Sequence, residues 1–366
     1  MKNKKIIISG GGTGGHIFPA IAIANALKEQ DNSIEILFVG AKGKMEMDRV
    51  PKAGYEIKGL WISGFHRKLT LKNLMFPFKL ISSWFKAFSI VRGFKPDAAV
   101  GVGGYASGPT LDVAARLGVP TLIQEQNSYA GVTNRLLANK VSKVCVAYDG
   151  MDRFFAKDKI IFTGNPIRQA ITKIAGKRAE AYQHFGLDPD KKTIVVVGGS
   201  LGARTINNAM EAAFDLIANN QGVQVIWQAG KLYIEEFEAK ETGQLPNVKL
   251  TKFINRMDLA YAVADLVISR AGAATISEIC LVEKPSILVP SPNVSEDHQT
   301  KNAMALVNKD AAIMVKDKDA VNNMYQTALD LLKDEARLKV ISKNVGELGM
   351  KNSATRIAKE VLSLIK

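Results

Sequence analysis

The chain has 366 residues, 47% hydrophobic and 23% charged, an ordinary composition for a globular protein and enough for two domains of about 150 residues each. No apolar run reaches the ~18 residues of a membrane-spanning helix, and Met1–Lys5 leads directly into strand-like sequence, so neither a transmembrane segment nor a signal peptide is expected. The net charge of +14 and pI of about 9.5 imply an acidic partner such as nucleic acid, anionic lipid or a phosphorylated substrate. The cations are spread along the chain, however, and no nucleic-acid-binding signature accompanies them.

In chain order, Ile6–Ser9 is strand-like and runs into Gly10, Gly11, Gly12, Thr13, Gly14 and Gly15. After His16 and Pro19 the apolar spacing turns helical at Ile21, Ala24 and Leu27. A strand, a glycine loop and a helix N-terminus make an anion site, because backbone N–H groups approach the ligand closely and the helix dipole favours negative charge. Gly10, Gly12 and Gly15 also fit G-x-G-x-x-G, but a dinucleotide needs an acid at the end of the second strand. That strand, Ile34–Val39, ends at Gly40, Ala41 and Lys42. NAD is disfavoured and a phosphate-bearing ligand retained.

Lys42–Ala53 reads as polar and mobile, and Tyr55–Leu60 as a short strand. Gly64–Gly93 is the most unusual stretch, with large apolar residues interleaved with Arg67, Lys68, Lys72, Lys79, Lys86 and Arg92 and no acid. On a helical wheel Phe78, Leu80, Ile81, Trp84, Phe85, Phe88 and Val91 share one arc, opposite Lys79, Ser82, Ser83, Lys86 and Ser89. Pro77 suits the first turn of this helix. Such a surface suits insertion into an interface of anionic head groups.

Ala98–Val102 reads as a buried strand entering Gly103, Gly104, Tyr105, Ala106, Ser107, Gly108 and Pro109. A helix (Thr110–Leu117), a strand (Thr121–Gln124), the polar loop Glu125–Ala130, a helix (Val132–Ala138) and a strand (Lys143–Ala147) close the first half. Phe162–Arg168 is a turn-rich bridge, after which the pattern restarts. The strand Thr193–Val197 feeds Gly198, Gly199, Ser200, Leu201, Gly202 and Ala203, followed by a helix at Thr205–Asn219. Further strands at Val223–Gln228, Val248–Thr251, Leu266–Ser269 and Ser286–Val289 alternate with helices at Met257–Ala264, at Thr275–Leu281 and from Gln299. A Pro/Ser-rich loop spans Pro290–Asp297, and Val321–Lys333 and Ala354–Ile365 read as amphipathic helices. The alternation predicts an α/β protein of two Rossmann-like halves, each a doubly wound parallel sheet.

Two side chains stand out chemically. His16 follows a glycine loop at a helix N-terminus, where the dipole disfavours the imidazolium and leaves the neutral ring a general base needs; the plain alternative is a structural histidine. Glu278, one turn into a helix after Ser269–Gly272, is either a dipole-stabilising acid or a ligand contact. Asp188-Pro189-Asp190 matches the D-x-D of metal-dependent glycosyltransferases, but it precedes its strand and is followed by Lys191 and Lys192, which makes it a surface turn. No other cluster has metal-ligand spacing, and neither a metal nor another cofactor is expected. Cys145 and Cys280 read as buried free thiols.

Seven motifs in order carry a family resemblance: GGGTGGHIFPA (10–20), GVGGYASGP (101–109), QEQNSYAGVTN (124–134), TGNPIR (163–168), GGSLGAR (198–204), SRAGAATISE (269–278) and DHQTKNA (297–303). With them the chain resembles, nearly end to end, the MurG family of the GT-B superfamily, peptidoglycan glycosyltransferases that add N-acetylglucosamine to lipid I. The resemblance implies a GT-B fold: an acceptor and membrane-facing domain over 1–164, completed by a C-terminal helix at 350–366, and a UDP-GlcNAc-binding domain over 165–349. It also implies inverting transfer to the C4 hydroxyl of MurNAc, giving lipid II and UDP, at the cytoplasmic face of the bacterial plasma membrane, within cell-wall synthesis, cell shape and division.

Carried over by position, the donor would meet Thr13, Gly14, Gly15, Asn127, Arg168, Ser200, Ile254, Ala273, Ala274, Thr275, Ile276, Ser277, Glu278 and Gln299, with Ile254 near uracil and Glu278 on the ribose hydroxyls. The acceptor would meet Gly12, Gly103, Gly104, Tyr105 and Ser107. His16 would be the base, with Glu125 a second candidate, and Lys68, Lys72, Lys79, Phe78, Trp84 and Phe85 would face the membrane. Partners are then UDP-GlcNAc, lipid I, an anionic membrane surface and other cell-wall synthesis proteins, with no nucleic acid. Where the family often has Gln after the serine of GGS, this chain has Leu201. A GT-B relative of different activity, such as a UDP-GlcNAc 2-epimerase or a glycolipid transferase, and a non-enzymatic nucleotide- or nucleic-acid-binding protein are the alternatives. A soluble sugar nucleotide does not require the basic aromatic segment, which weighs against the epimerase.

Overall fold

The structure, a computed structural model, describes residues 3–64, 75–167, 171 and 173–365. It divides into two compact units, Met1–Ile167 with Asn352–Lys366, and Arg168–Lys351. The first unit is built on a seven-stranded sheet ordered β3-β2-β1-β4-β5-β6-β7. Its strands are β1 (Lys5–Ser9), β2 (Glu35–Ala41), β3 (Glu56–Leu60), β4 (Ala98–Gly101), β5 (Thr121–Glu125), β6 (Lys143–Val146) and β7 (Ile160–Phe162), all paired in parallel. The unbroken apolar run Ile6-Ile7-Ile8 is what a strand covered on both faces requires. Ile6 and Ile8 face a core shared with Ile23, Leu27, Ile357 and Val361, while Ile7 faces one shared with Leu37, Val39, Ile90, Val91 and Val113. The C-terminal helix Ser353–Leu362 thereby packs on the first helix, Gly14–Gln30, and Lys143 Nζ secures it at 2.6 Å from Glu360 Oε2.

The second unit repeats the plan with six strands ordered β10-β9-β8-β11-β12-β13: β8 (Lys192–Val197), β9 (Val223–Gln228), β10 (Val248–Thr251), β11 (Leu266–Ser269), β12 (Ser286–Leu288) and β13 (Ile313–Met314). In each unit the strand order reverses beside the first strand, between β1 and β4 and between β8 and β11. Ligands of open α/β sheets bind outside the carboxyl ends of strands at such points. The glycine loops after β1 and β4, and those after β8 and β11, lie there.

Several expectations need correction. Lys42–Ala53 is not a mobile polar stretch: it contains the helix Glu46–Lys52, with Glu46 and Val50 buried. The helix expected over Thr205–Asn219 breaks at Ala213 into Arg204–Ala212 and Phe214–Ala218. β7 and β13, three and two residues long, are too short to show a period in sequence. In the helix Phe76–Phe94 the inward face is Ser83, Ala87, Ile90 and Val91, small or β-branched, whereas Phe78 and Phe85 are each 65% exposed, with Leu80 and Ile81 also out. Ser83, on the polar side of the helical wheel, is buried, its hydroxyl donating to the Trp61 carbonyl at 3.0 Å. Small residues inward let this helix sit close against Ser107–Arg116. Trp84 stacks on Phe88 and donates to Asp112 at 2.9 Å, and Lys79 donates to Ser63 at 3.0 Å and lies over the Trp61 ring. Lys68 and Lys72 fall outside the described residues. Among those described, no helix is long and apolar enough to cross a membrane. Both cysteines are free and buried, and burial pushes their thiols up to about 12.

One ion network of the second unit has a pH signature. Asp258, buried, accepts from Arg256 at 2.9 and 2.8 Å and from Lys177 at 2.7 Å. The Arg256 hydrogen bonds, helped by Lys177, outweigh burial and hold its carboxyl well below the usual carboxylate range. A depressed folded value means that the stabilisation is complete above the unfolded value of 3.8 and is lost as pH falls through the folded one. Asp258→Asn is therefore expected to lose about 2 kcal/mol at pH 7. Urea titrations should show the gap from the parent closing as the pH drops below 4, with the parent falling towards the variant.

Candidate active site

In the first unit the loops after β1 and β4 interlock through glycines. A Cβ on Gly104 would lie 2.3 Å from the Gly11 carbonyl oxygen, and one on Gly103 would lie 2.9 Å from Nε2 and Cδ2 of His16. Both glycines hold φ near +90°, a conformation costly for any side chain. His16 Nδ1 is 3.0 Å from the Gly11 carbonyl oxygen and 3.4 Å from Thr13 Oγ1. A carbonyl only accepts, so this contact assigns the proton to Nδ1 and makes Nε2, beside Gly103, the basic nitrogen. Thr13 holds the N-cap position of the helix Gly14–Gln30 without a side-chain cap hydrogen bond, and the first turn carries no acid.

Glu46 was missed. Its carboxylate, 1% exposed, accepts the Gly12 N–H and the Ala41 N–H, each at 2.9 Å. The Gly12 amide, expected to meet the acceptor, is therefore already engaged. Nothing local marked Glu46, because the glycines that admit it, Gly11 and Gly40, adjoin it only in the fold.

Glu125 is also buried. Its Oε1 accepts from Asn127 N and Nδ2 (3.0 and 3.3 Å), and its Oε2 from Gly131 N and Asn134 Nδ2 (3.0 and 2.8 Å). Oε1 serves its own loop and Oε2 the start of the helix Val132–Leu137, so Glu125 positions Asn127, a different task from that of a base. Gln126 donates to the Val102 carbonyl at 2.8 Å, tying this loop to the one after β4, and Asn165, just after β7, donates to the Gln126 carbonyl at 2.9 Å. Tyr105 is half-exposed and packs against Gly64. Ser107 is not at the surface: its hydroxyl is fully buried against Gly101, where only a glycine leaves room for it.

In the second unit Gly199 and Gly202 both lie near φ +90° and leave Ser200 and Leu201 exposed. Gln228, also missed, bridges two loops: it donates to the Gly199 carbonyl at 2.9 Å and accepts the Ile254 N–H at 2.8 Å. The helix Ala273–Leu281 starts at Gly272 with Ala273, Ala274 and Thr275 half-buried and no acid in its first turn. Ile276 is buried in the core, which leaves Ser277 and Glu278 as the polar side chains of the next turn. Glu278 is buried, and Tyr261 donates to its Oε2 at 3.0 Å. Gln299 accepts the Ser291 N–H at 2.9 Å, and Arg168 lies outside the described residues. Asp190 N–H donates to Asp188 at 3.0 Å, closing a turn ahead of β8. Among the described residues no three His, Cys, Asp or Glu side chains group as a metal site.

Two Rossmann-like units, each with a glycine loop and a helix N-terminus at its switch point, are the architecture of the GT-B fold. Residues 6–146 match the glycosyltransferase family 28 N-terminal domain and residues 193–361 its C-terminal domain. The crystal structure of Acinetobacter baumannii MurG covers 98% of this chain and 99% of its own at 28% identity and a TM-score of 0.79. A UDP-GlcNAc 2-epimerase from Neisseria meningitidis bound to UDP-GlcNAc, at 14% identity, 98% and 100% coverage and a TM-score of 0.69, shares the fold alone. A relative from Phocaeicola vulgatus, 60% identical over 99% of this chain and 97% of its own, is named UDP-N-acetylglucosamine--N-acetylmuramyl-(pentapeptide) pyrophosphoryl-undecaprenol N-acetylglucosamine transferase. The chain belongs to this family, the MurG glycosyltransferases.

The contact between Gly103 and the imidazole is testable without a substrate. Gly103→Ala should displace the ring and cost about 1–3 kcal/mol through its forced positive φ. A thermal melt reads the stability, and the His16 ring resonances read the displacement; an unmoved ring would mean that the loop yields instead.

Proposed function

We propose that the chain transfers N-acetylglucosamine from UDP-GlcNAc to the C4 hydroxyl of MurNAc in undecaprenyl-diphospho-MurNAc-pentapeptide (lipid I), giving lipid II and UDP with inversion at the anomeric carbon. The observation that carries this reading is the 60% identity, along 99% of the chain, to a transferase of that name. The first unit takes the acceptor and the second the donor.

On the donor side, Glu278 receives the ribose hydroxyls and is held for that task by Tyr261. Uracil lies at Ile254, in a turn that Gln228 ties to the Gly199 loop. The diphosphate meets Ser200, Arg168 and the acid-free helix start at Ala273–Thr275, where dipole and amides favour negative charge. Thr13, Gly14, Gly15, Asn127 and Gln299 meet the sugar.

His16 Nε2 takes the proton of the C4 hydroxyl as its oxygen forms the new bond to the anomeric carbon. The bond to UDP breaks at the same centre, the electron pair leaves with the β-phosphate, and the charge that develops there is met by the helix dipole, backbone amides and Arg168. No enzyme nucleophile is needed. Gly103, Gly104 and Tyr105 line the acceptor side.

The acceptor's polyprenyl tail requires the protein to work at a membrane surface. Phe78, Leu80, Ile81 and Phe85 stand out from the helix Phe76–Phe94 among Lys79, Lys86 and Arg92. This composition supports peripheral binding to the anionic cytoplasmic leaflet, beside other cell-wall synthesis proteins and in the service of cell shape and division. Trp84, engaged by Asp112, anchors the helix to the unit.

Paired variants test the division of labour. His16→Ala should lower kcat about 10²–10⁴-fold with unchanged UDP affinity, and Glu278→Ala should weaken UDP binding about 10- to 150-fold. UDP release with and without a lipid I analogue, together with calorimetry, reads both; a His16→Ala enzyme of normal kcat would remove the histidine from the chemistry. For the membrane, charge reversal at Lys68, Lys72 and Lys79 should weaken co-sedimentation with anionic vesicles while leaving turnover of a short-chain soluble acceptor intact. Binding equal to the parent's would move the membrane surface elsewhere.

A further inference from the structure

The Gly11 carbonyl that holds the His16 Nδ1 proton at 3.0 Å and the Gly12 N–H that donates to Glu46 Oε2 at 2.9 Å are the two ends of one peptide group. We propose that Glu46 is a positioning residue for the transfer, acting on His16 through the Gly11–Gly12 peptide as a carboxylate–amide–imidazole relay that fixes which ring nitrogen carries the proton and where Nε2 points. The inference rests on the reading of His16 as the base.

An amide whose N–H donates to a carboxylate is polarised, and its carbonyl becomes the stronger acceptor. The Gly11 oxygen then holds the Nδ1 proton more firmly and stabilises the imidazolium that forms when Nε2 takes a proton. A carboxylate does the same by direct contact in the Ser-His-Asp arrangement; here a peptide group stands between the two.

The surroundings fit this task. Oε1 accepts the Ala41 N–H at 2.9 Å, so the carboxylate cannot turn away. A Cβ on Gly11 would lie 2.2 Å from Oε1, and one on Gly40 2.5 Å from Cγ, so both glycines are needed to admit the side chain. Among the described residues no cation pairs with Glu46, and two amides carry its charge. A bare carboxylate beneath an anion-binding loop opposes a diphosphate at the Gly12 amide, and the relay accounts for its presence there.

The other titratable groups described on the elements packed around the ring are Tyr105, on the loop after β4, and Glu125, whose oxygens accept from Asn127, Gly131 and Asn134. Lys42, Lys44, Asp48 and Arg49, flanking Glu46, are exposed. Thr13 Oγ1 is a neutral neighbour.

The test is an NMR titration of the His16 ring in the full chain, with its resonance assigned by its absence in His16→Gln. Removing the carboxylate charge destabilises the imidazolium, so Glu46→Gln should lower the His16 pKa by about half a unit to one unit. The ring nitrogen shifts should show a weaker preference for the Nδ1–H tautomer, and the acid limb of kcat/KM should move down in pH by the same amount. Glu46→Asp, which keeps the charge, should stay nearer the parent. An unchanged pKa and tautomer in a folded Glu46→Gln protein overturns the relay. A shifted His16 pKa with an unmoved acid limb upholds the relay and overturns His16 as the base. In the parent protein the Gly12 amide proton must shift as His16 titrates; a Gly12 resonance indifferent to that titration overturns the proposal even if the variants fail to fold.

Discussion

The first unit's site depends on a contact between two backbones. The loops after β1 and β4 meet where the strand order reverses, and Gly104 faces the Gly11 carbonyl at a distance that excludes any Cβ. The second unit has a comparable contact between the loops after β8 and β9, beside its switch point: a Cβ on Gly202 would lie 2.1 Å from the Ala229 carbonyl oxygen, and one on Gly230 2.1 Å from the Gly202 nitrogen. In both contacts the closing surface is main chain, so amides and carbonyls become the functional groups. Two rigid sheets hold them in place.

The buried acids of the first unit follow from that choice. Glu46 and Glu125 are satisfied by backbone amides and asparagine side chains. Asp258 and Asp317, by contrast, are met by Arg256 and Arg270. A cation beside a carboxylate cancels its field, while neutral donors satisfy the oxygens and leave the net charge to act on neighbouring groups. Near a histidine that difference is chemical as well as structural.

The helix Phe76–Phe94 shows packing deciding exposure against hydrophobicity. Ser83, Ala87, Ile90 and Val91 face inward with Trp84 and Phe88 packed beside them, so close approach of two helices leaves Phe78, Ile81 and Phe85 as an apolar patch. An exposed apolar patch of that kind is the surface that the proposed membrane contact would cover.

Strand periodicity, glycine clusters and alternating elements made the two parallel sheets legible in the sequence, because each is a local property of a few adjacent residues. The apolar runs at Ile6–Ile8 and Thr193–Val197 and the loops that follow them needed no tertiary knowledge. His16 and Glu278 were legible for a similar reason: each stands at a fixed distance from a helix start. Glu46, Gln228 and Tyr261 were not, since Gly12, Gly199, Ile254 and Glu278, which they meet, lie 17 to 34 residues away and are brought beside them only by the fold. The inward face of the helix Phe76–Phe94 and the burial of Ser107 were likewise set by what packs against them. Sequence by itself determined most of the strands and the helices that follow the glycine loops, though not the helix Glu46–Lys52, β7 or β13, and where backbone must replace side chain. Only the tertiary structure decided which polar groups each buried acid meets, because hydrogen bonding is satisfied between segments that the fold, and not the chain order, makes neighbours.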